Sequence, residues 1–403
     1  MDPAAQTELS AFQADALFLL AGQNPLSNYV AARLLLKPGG ALYLIHADGP
    51  EGAARAAHDL ARHLAPFFPK RQFIPVDPAE PVNIRRQVET ALAQRNPLGV
   101  IGLNYAGGTR IMAVHAYQVI EAYCGRSNAV FSHLDPDRLE LIVEPRPGKP
   151  PFRRKVAQDL SLTLQEALAL HGAELRSERQ DESRLPDLAR ALAQMHRSLP
   201  GIVSWRKYSR AEMVSVWDGR LWEYAEEELR AGLLPSDLMA QLEAALTVNR
   251  EEPVDLDAAA KRAGLKDARA LIDWLAEGWL KDWALSGVKA LHYSERTRDL
   301  VCAGAEEVRV DVAFMHGCQL FALYCNAATS LEKVRLDLLE AYSRTRQIGG
   351  DEARVGVVSF LNEPERLEQE IAHAWTLAGR VRVFGCRALP DLQLHLKAWI
   401  EGA

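Results

Sequence analysis

Between residues 1 and 145, short apolar runs alternate with amphipathic segments. The runs "ALFLLAG", "ALYLIH", "QFIPV", "LGVIGLN" and "AVFSHL" are too short for helices and are bounded by polar turns, so they read as buried strands. Segments starting near Asn28, Glu51, Val82 and Thr109 carry apolar residues at helical spacing, and "RLELIVE" closes the series as a last short strand. This alternation predicts a parallel sheet covered on both faces. In such a doubly wound α/β domain, ligands are expected beyond the carboxyl ends of the strands.

The pattern changes at "EPRPGKPPFRRK", residues 144–155, a Pro-rich basic stretch that reads as a boundary or extended connector, or as a phosphate-contacting strip. Helical spacing begins after Leu160, where Thr163 and Glu166 form a capping box ahead of "ALALHG", stopped by Gly172. Helices then dominate to about residue 285. Within them "DLDAAAKRAGLKDARALIDWLAEGWL" has the outline of a helix-turn-helix bent near Gly264. Its second helix sets Asp267 and Asp273 beside Lys266 and Arg269, which suits packing better than DNA readout. From Glu307, "EVRVDVAFMHGCQLFALYCNA" alternates apolar and polar residues around His316-Gly317, the pattern of a hairpin. With strands at "RVGVVSF" and "RVRVFG", the C-terminal third is a second α/β unit. The expected organisation is 1–145, a mostly helical connector over 146–270, and 271–403.

Composition narrows the function classes. With 48% hydrophobic and 25% charged residues, the 403-residue chain has enough apolar surface to bury sizeable cores. A formal charge of −6 argues against coating nucleic acid by bulk electrostatics and confines any such site to a local cleft. The five cysteines, Cys124, Cys302, Cys318, Cys325 and Cys386, show no metal-ligand spacing. No signal-peptide pattern and no apolar run of about 18 residues is present, so a cytoplasmic protein outside the membrane is expected.

Two turns carry candidate chemistry. In "NYAGGTRIMAVHAY", a strand runs into Gly107-Gly108 and a helix opens at Thr109-Arg110. A glycine pair lets backbone N–H groups approach a ligand, and the helix start adds unpaired N–H groups and a positive dipole end. Thr109 can cap the helix or bond a ligand, Arg110 supplies charge, and a phosphate is the natural guest; a plain tight connection is the simpler alternative. The segment is neither a GxxxxGK[ST] loop nor a GxGxxG fingerprint. The first strand ends in "AGQNPLSNYV", which clusters Gln23, Asn24, Ser27 and Asn28; amides there suit a base edge or ribose hydroxyl, or Ser27 or Asn28 caps the next helix. Met112, at helical spacing with Ala116 and Ile120, reads as core.

"GQNPLSN" and "NYAGGTRIMAVHAY" together resemble the CARF domain of CRISPR-associated ancillary nucleases, which respond to cyclic oligoadenylates made by type III systems. "SLTLQEALALHG" is similar to the segment leaving that domain, "LAEGWLKDW" to the helix opening the nuclease domain, and "EVRVDVAFMHGCQLFALYCNA" to the metal-binding hairpin of the restriction-endonuclease-like fold. The resemblance implies a Rossmann-like CARF domain, a helical connector and a restriction-endonuclease-like α/β domain. It also implies a homodimer sharing one two-fold symmetric ring, favouring cyclic tetra-adenylate, and no cofactor for binding. Gln23 and Asn28 would face nucleotides, Gly107, Gly108, Thr109 and Arg110 would hold phosphate and ribose, and Asn24 and Asn104 would complete the ligand-binding set. Arg110 stands where relatives carry lysine.

The same resemblance exposes losses in the nuclease domain. An Asp on one strand and Glu-x-Lys on the next would hold Mg or Mn and orient water, the i, i+2 spacing putting both side chains on one face. Asp311 stands at the Asp position, but Glu-x-Lys reads Tyr324-Cys325-Asn326, and the glutamate expected after "GWL" is Lys281. Neutral tyrosine is a poor magnesium ligand and asparagine has no charge to replace lysine. Arg309, two residues before Asp311, is placed to pair with it. The expectation is a domain that does not cleave. The alternatives are a rebuilt nuclease site drawing on Lys281, Lys333, Glu306, Glu307 or Glu332, with Mg or Mn, or cleavage of the ring in the CARF pocket.

Overall fold

In a computed structural model, residues 8–48, 53–94, 99–125, 128–145, 150–197, 256–304, 306–375 and 377–402 are described. Of the expected helical connector, 198–255 lies outside them. The chain forms two compact units. One comprises the chain up to Glu174 with two short returns, His316–Gln319 and Arg346–Glu352; the other comprises Leu175–Met315, Leu320–Thr345 and Ala353–Ala403.

The first unit alternates strand and helix: β1 (Ala14–Leu20), α1 (Leu26–Leu35), β2 (Leu36–Ala47), α2 (Ala53–Leu64), β3 (Arg71–Val76), α3 (Pro81–Gln94), β4 (Ile101–Asn104), α4 (Arg110–Cys124), β5 (Ala129–Asp135) and β6 (Glu140–Val143). The sheet order is β3-β2-β1-β4-β5-β6-β7, with β1 parallel to both β2 and β4. The chain therefore reverses its direction of travel at β1, and the crevice between the carboxyl ends of β1 and β4 is a topological switch point, the usual ligand position in such sheets. One face of the sheet packs Phe18, Leu20, Ile45, Leu103, Met112 and Ile120 into a continuous core. Met112, 1% exposed, is core as its spacing predicted.

One local difference has a clear cause. "EPRPGKPPFRRK" is not all connector, because Phe152–Lys155 forms a seventh strand, β7, antiparallel to β6. Its alternation of half-buried and exposed residues is hidden by the prolines before it. The Thr163/Glu166 capping box forms as expected at the start of α5 (Leu164–Leu170). The hairpin tip belongs to this unit: Gly317, at φ +59, gives its carbonyl to the Leu162 N–H at 3.0 Å, and a Cβ there would lie 2.6 Å from the Ala157 Cα.

The second unit holds a six-stranded sheet, order β13-β12-β11-β10-β9-β8. β8 (Glu174–Leu175) leads to α6 (Pro186–Gln194), and among the described residues α7 (Leu256–Arg262) and α8 (Ala268–Asp273) follow, separated at Gly264, φ +68. A π-turn over Trp274–Gly278 runs into α9 (Trp279–Ala290). Then come β9 (Arg296–Ala303), β10 (Glu307–His316), β11 (Gln319–Cys325), α10 (Leu331–Gly349), β12 (Arg354–Val358), α11 (Pro364–Trp375), β13 (Val381–Phe384) and α12 (Leu392–Glu401). The β10–β11 hairpin is as predicted. β9 is an addition: "RTRDLVCA" carries three charged residues and reads as loop, yet it pairs antiparallel with β10 and buries Leu300 and Cys302. Trp279, Phe314, Phe321, Phe384 and Trp399 fill the core under this sheet.

Candidate functional site

The turn after β1 and the turn after β4 meet main chain to main chain. A Cβ on Gly107 would lie 2.0 Å from the Leu20 carbonyl oxygen, and one on Gly22 would lie 2.9 Å from the Gly108 nitrogen. Gly108 sits at φ +67, a conformation that favours glycine, and a Cβ there would lie 3.2 Å from the Leu20 Cβ. All three positions therefore exclude side chains, and the floor of the crevice is bare backbone.

Beneath this floor a polar network ties the strands together. Asn28, fully buried in α1, donates through Nδ2 to the Leu20 carbonyl at 2.7 Å and accepts through Oδ1 from Asn104 Nδ2 at 2.8 Å. Asn104 Nδ2 also reaches Ser27 Oγ at 3.2 Å, and its Oδ1 accepts from Ser132 Oγ at 3.5 Å. Both ends of the Asn28 amide are thus spent inside the protein. Through these bonds Asn28, which the resemblance set toward nucleotides, holds the two turns in register. Nor do Ser27 and Asn28 cap a helix, for α1 starts at Leu26 after Pro25 with no side-chain cap.

The rim carries the free chemistry. Gln23, Thr109 and Arg110 are exposed, and among the described residues Arg110 makes no ion pair. Thr109 Oγ1 accepts from the Met112 N–H at 3.2 Å as the N-cap of α4, which leaves its hydroxyl hydrogen to donate outward. The Thr109 carbonyl takes the Ala113 N–H, whereas the amides of Arg110 and Ile111, in the first turn, have no acceptor within the helix. Asn24 is half-buried: its Nδ2 donates to both Glu352 carboxylate oxygens at 2.9 and 2.8 Å, and its Oδ1 accepts from the Leu26 N–H at 3.3 Å. Beyond β4, Tyr105 Oη lies 2.8 Å from His133 Nδ1. Burial, followed by the nearby Glu144 charge, pushes the Tyr105 phenol up, and burial lowers His133, so both are neutral at pH 7. Sequence reasoning missed Glu352, Ser132 and His133, because each reaches the crevice only through the fold.

The nuclease-like hairpin is organised differently. Asp311 on β10 gives one oxygen to Lys281 Nζ at 2.9 Å and the other to the Cys325 N–H at 2.8 Å. Lys281, on α9, also bonds Asp299 Oδ1 at 2.6 Å. Asp299 falls opposite Asp311 in the β9–β10 register, between the pairs Leu300–Val310 and Arg298–Val312, and has φ 51. Burial alone would lower the Lys281 pKa, but the Asp311 charge and the bonds to both carboxylates raise it above its ordinary value. The neighbouring Asp282, 1% exposed, anchors α9 through Trp274 Nε1 at 2.7 Å and Arg298 at 3.3 Å.

The remaining expected residues point elsewhere. Tyr324 Oη bonds Thr345 Oγ1 at 2.9 Å, and burial pushes the phenol up to about 12, so it is no anionic ligand. Asn326 donates to Asp337 at 3.0 Å, and Lys333 is tied to the same carboxylate. Arg309 pairs with Glu307 at 2.8 Å and not with Asp311, which Lys281 has taken. Cys318 and Cys325 have thiols that burial raises, Cys318 to about 12. Among the described residues no three His, Cys, Asp or Glu side chains converge as metal ligands. A divalent cation requires several anionic or carbonyl oxygens; here an ammonium lies between the two carboxylates, so the residues do not fit one.

The first sheet, with its crevice at a switch point, and the second, with its hairpin, give the two-domain α/β architecture that the sequence resemblance implied. No protein-family model and no curated protein matches the chain. Solved structures do. Can2 from Sulfobacillus thermosulfidooxidans, determined in complex with cyclic tetra-adenylate, superposes with a TM-score of 0.66 at 15% identity, over 98% of this chain and 99% of that one. Protein VC1899 from Vibrio cholerae gives 0.64 at 18% identity, over 96% and 98%. Among the described residues no helix is long and apolar enough to cross a membrane.

Proposed function

We propose that this chain is a cytoplasmic receptor for a cyclic oligoadenylate, with a ring of four adenylates as the first candidate, in type III CRISPR antiviral signalling. The observation that carries the reading is the side-chain-free floor of Gly22, Gly107 and Gly108 at the switch point, flanked by the exposed Arg110 guanidinium and the α4 amides. Phosphates suit exposed amides and a fixed cation, and an adenine edge suits the exposed amide of Gln23. That Can2 was determined with cyclic tetra-adenylate supports the choice of ring.

Two chains share one ring in this reading, since a two-fold symmetric ligand presents the same groups to each copy. Val82, 75% exposed on α3, and Ile111 and Val114, 42% and 52% exposed on α4, supply apolar surface for such a homodimer. Binding needs no cofactor, and the nuclease-like unit does not cleave, because the Lys281 ammonium lies between the two carboxylates of its hairpin. Nucleic acid is not a principal partner.

The test is calorimetric titration with cyclic tetra- and hexa-adenylate, followed by incubation of the complex with labelled DNA, RNA and the ring, with and without manganese. Tight ring binding that weakens at least tenfold in Arg110→Ala, without cleavage, is the expected result. Binding unchanged in that variant would overturn the pocket, and ring or nucleic-acid cleavage would convert the receptor into an enzyme.

A further inference from the structure

We infer that the Lys281 ammonium is a built-in counter-cation that takes the place of a divalent metal between Asp299 and Asp311 and closes the hairpin to metal. The inference rests on reading the second unit as nuclease-like. It goes further by naming the group that occupies the cation position and a carboxylate, Asp299, that the sequence did not single out.

Three observations converge. The ammonium lies 2.6 Å from Asp299 Oδ1 and 2.9 Å from Asp311 Oδ1, so one cation serves two carboxylates that face each other across paired strands. Without it, the two carboxylates would repel each other in a partly buried setting, their side chains being 36% and 28% exposed. The second Asp311 oxygen already accepts the Cys325 N–H, so each of its oxygens has a donor before any metal arrives. Asp299, finally, adopts φ 51 within a strand, a conformation a non-glycine residue keeps only where its surroundings enforce it. In that conformation the Asp299 carboxylate bonds the Lys281 ammonium.

A lysine that orients water in a nuclease stands beside the metal. Here the ammonium lies between the carboxylates themselves, where a metal would be repelled by its charge. Charge compensation persists while the metal-dependent chemistry is lost, and the strand pairing keeps its geometry.

Manganese titration of the full chain decides the matter, with the free aquo ion followed by electron paramagnetic resonance and melting followed by tryptophan emission. The wild type is expected to bind no Mn(II) at this hairpin at millimolar concentration, with an unmoved melting point. Lys281→Glu, which exchanges the cation for a third carboxylate, is expected to bind one Mn(II) per chain and to melt higher in its presence. Asp311→Asn added to that variant should abolish both effects. Wild-type binding that disappears in Asp311→Asn would overturn the inference. So would a Lys281→Glu chain with wild-type circular dichroism that gains no site. Should that variant not fold, the wild-type titration and Lys281→Gln, expected to bind Mn(II) more tightly than the wild type, decide in its place; a Lys281→Gln chain no better than the wild type counts against the inference. Ring binding is measured separately, so its failure would sink the proposed function and leave this result standing.

Discussion

Replacing Asn28 separates a scaffold residue from a ligand contact. Asn28→Ala removes the bond to the Leu20 carbonyl and the bond from Asn104, at 2.7 and 2.8 Å in a fully buried setting. Two net hydrogen bonds at about 1 kcal/mol each, plus about 1 kcal/mol for the stranded Leu20 carbonyl, sum to about 3 kcal/mol. Asn104 Nδ2 retains Ser27 Oγ, which limits the loss on that side. Asn28→Asp keeps the acceptor toward Asn104 but turns a carboxyl oxygen toward the Leu20 carbonyl, so it should cost more than alanine unless the acid stays protonated. Fluorescence would miss the change, because all eight tryptophans lie after residue 200. Hydrogen exchange of peptides covering β1 and β4 reports it directly, and about 3 kcal/mol corresponds to faster exchange by roughly two orders of magnitude. Unchanged protection in both strands, combined with lost ring binding, would refute the scaffold role and return Asn28 to the ligand.

Gly107→Ala should abolish ring binding and loosen the β1–β4 junction, since its Cβ would fall 2.0 Å from the Leu20 oxygen; titration with cyclic tetra-adenylate and exchange of the same peptides check both effects. The His171 imidazole, which burial lowers to about 4, should make the first unit sensitive to acid. Its unfolded-state value is near ~6.5, so between there and about 4 the unfolded chain binds the extra proton, and stability is lost as pH falls through that window. Exchange-based stabilities at pH 7 and pH 5 should therefore converge in His171→Gln.

Much of the fold was legible because it rests on local patterns. The five parallel strands of the first sheet are short apolar runs between polar turns, and the Thr163–Glu166 capping box is written in four adjacent residues. The switch point followed from the same alternation once β1 was placed between β2 and β4. What escaped was whatever long-range pairing decides. β9 looks like loop because Arg296, Arg298 and Asp299 interrupt its apolar residues, and only β10 makes it a strand. The burial of Asn28 was not legible either, because a buried amide and an exposed one have the same letter; its partners Leu20 and Asn104 are 8 and 76 positions away. Lys281 reads in the sequence as a lost glutamate or a relocated lysine, and only the β9–β10 pairing that sets Asp299 across from Asp311 gives its ammonium two carboxylate partners.

The glycine floor bears on how such a receptor could change its ligand. A pocket lined by side chains can drift through single substitutions, each altering shape or charge a little. In the proposed reading the surface nearest the guest is main chain locked against main chain, with no room for even a methyl group at Gly107. Selection would then reach recognition only from the edges, through Gln23, Thr109 and Arg110. Ring size and base identity would then be adjustable features, while the demand for a phosphate-bearing guest would be close to permanent, inherited with the backbone and not with any particular side chain.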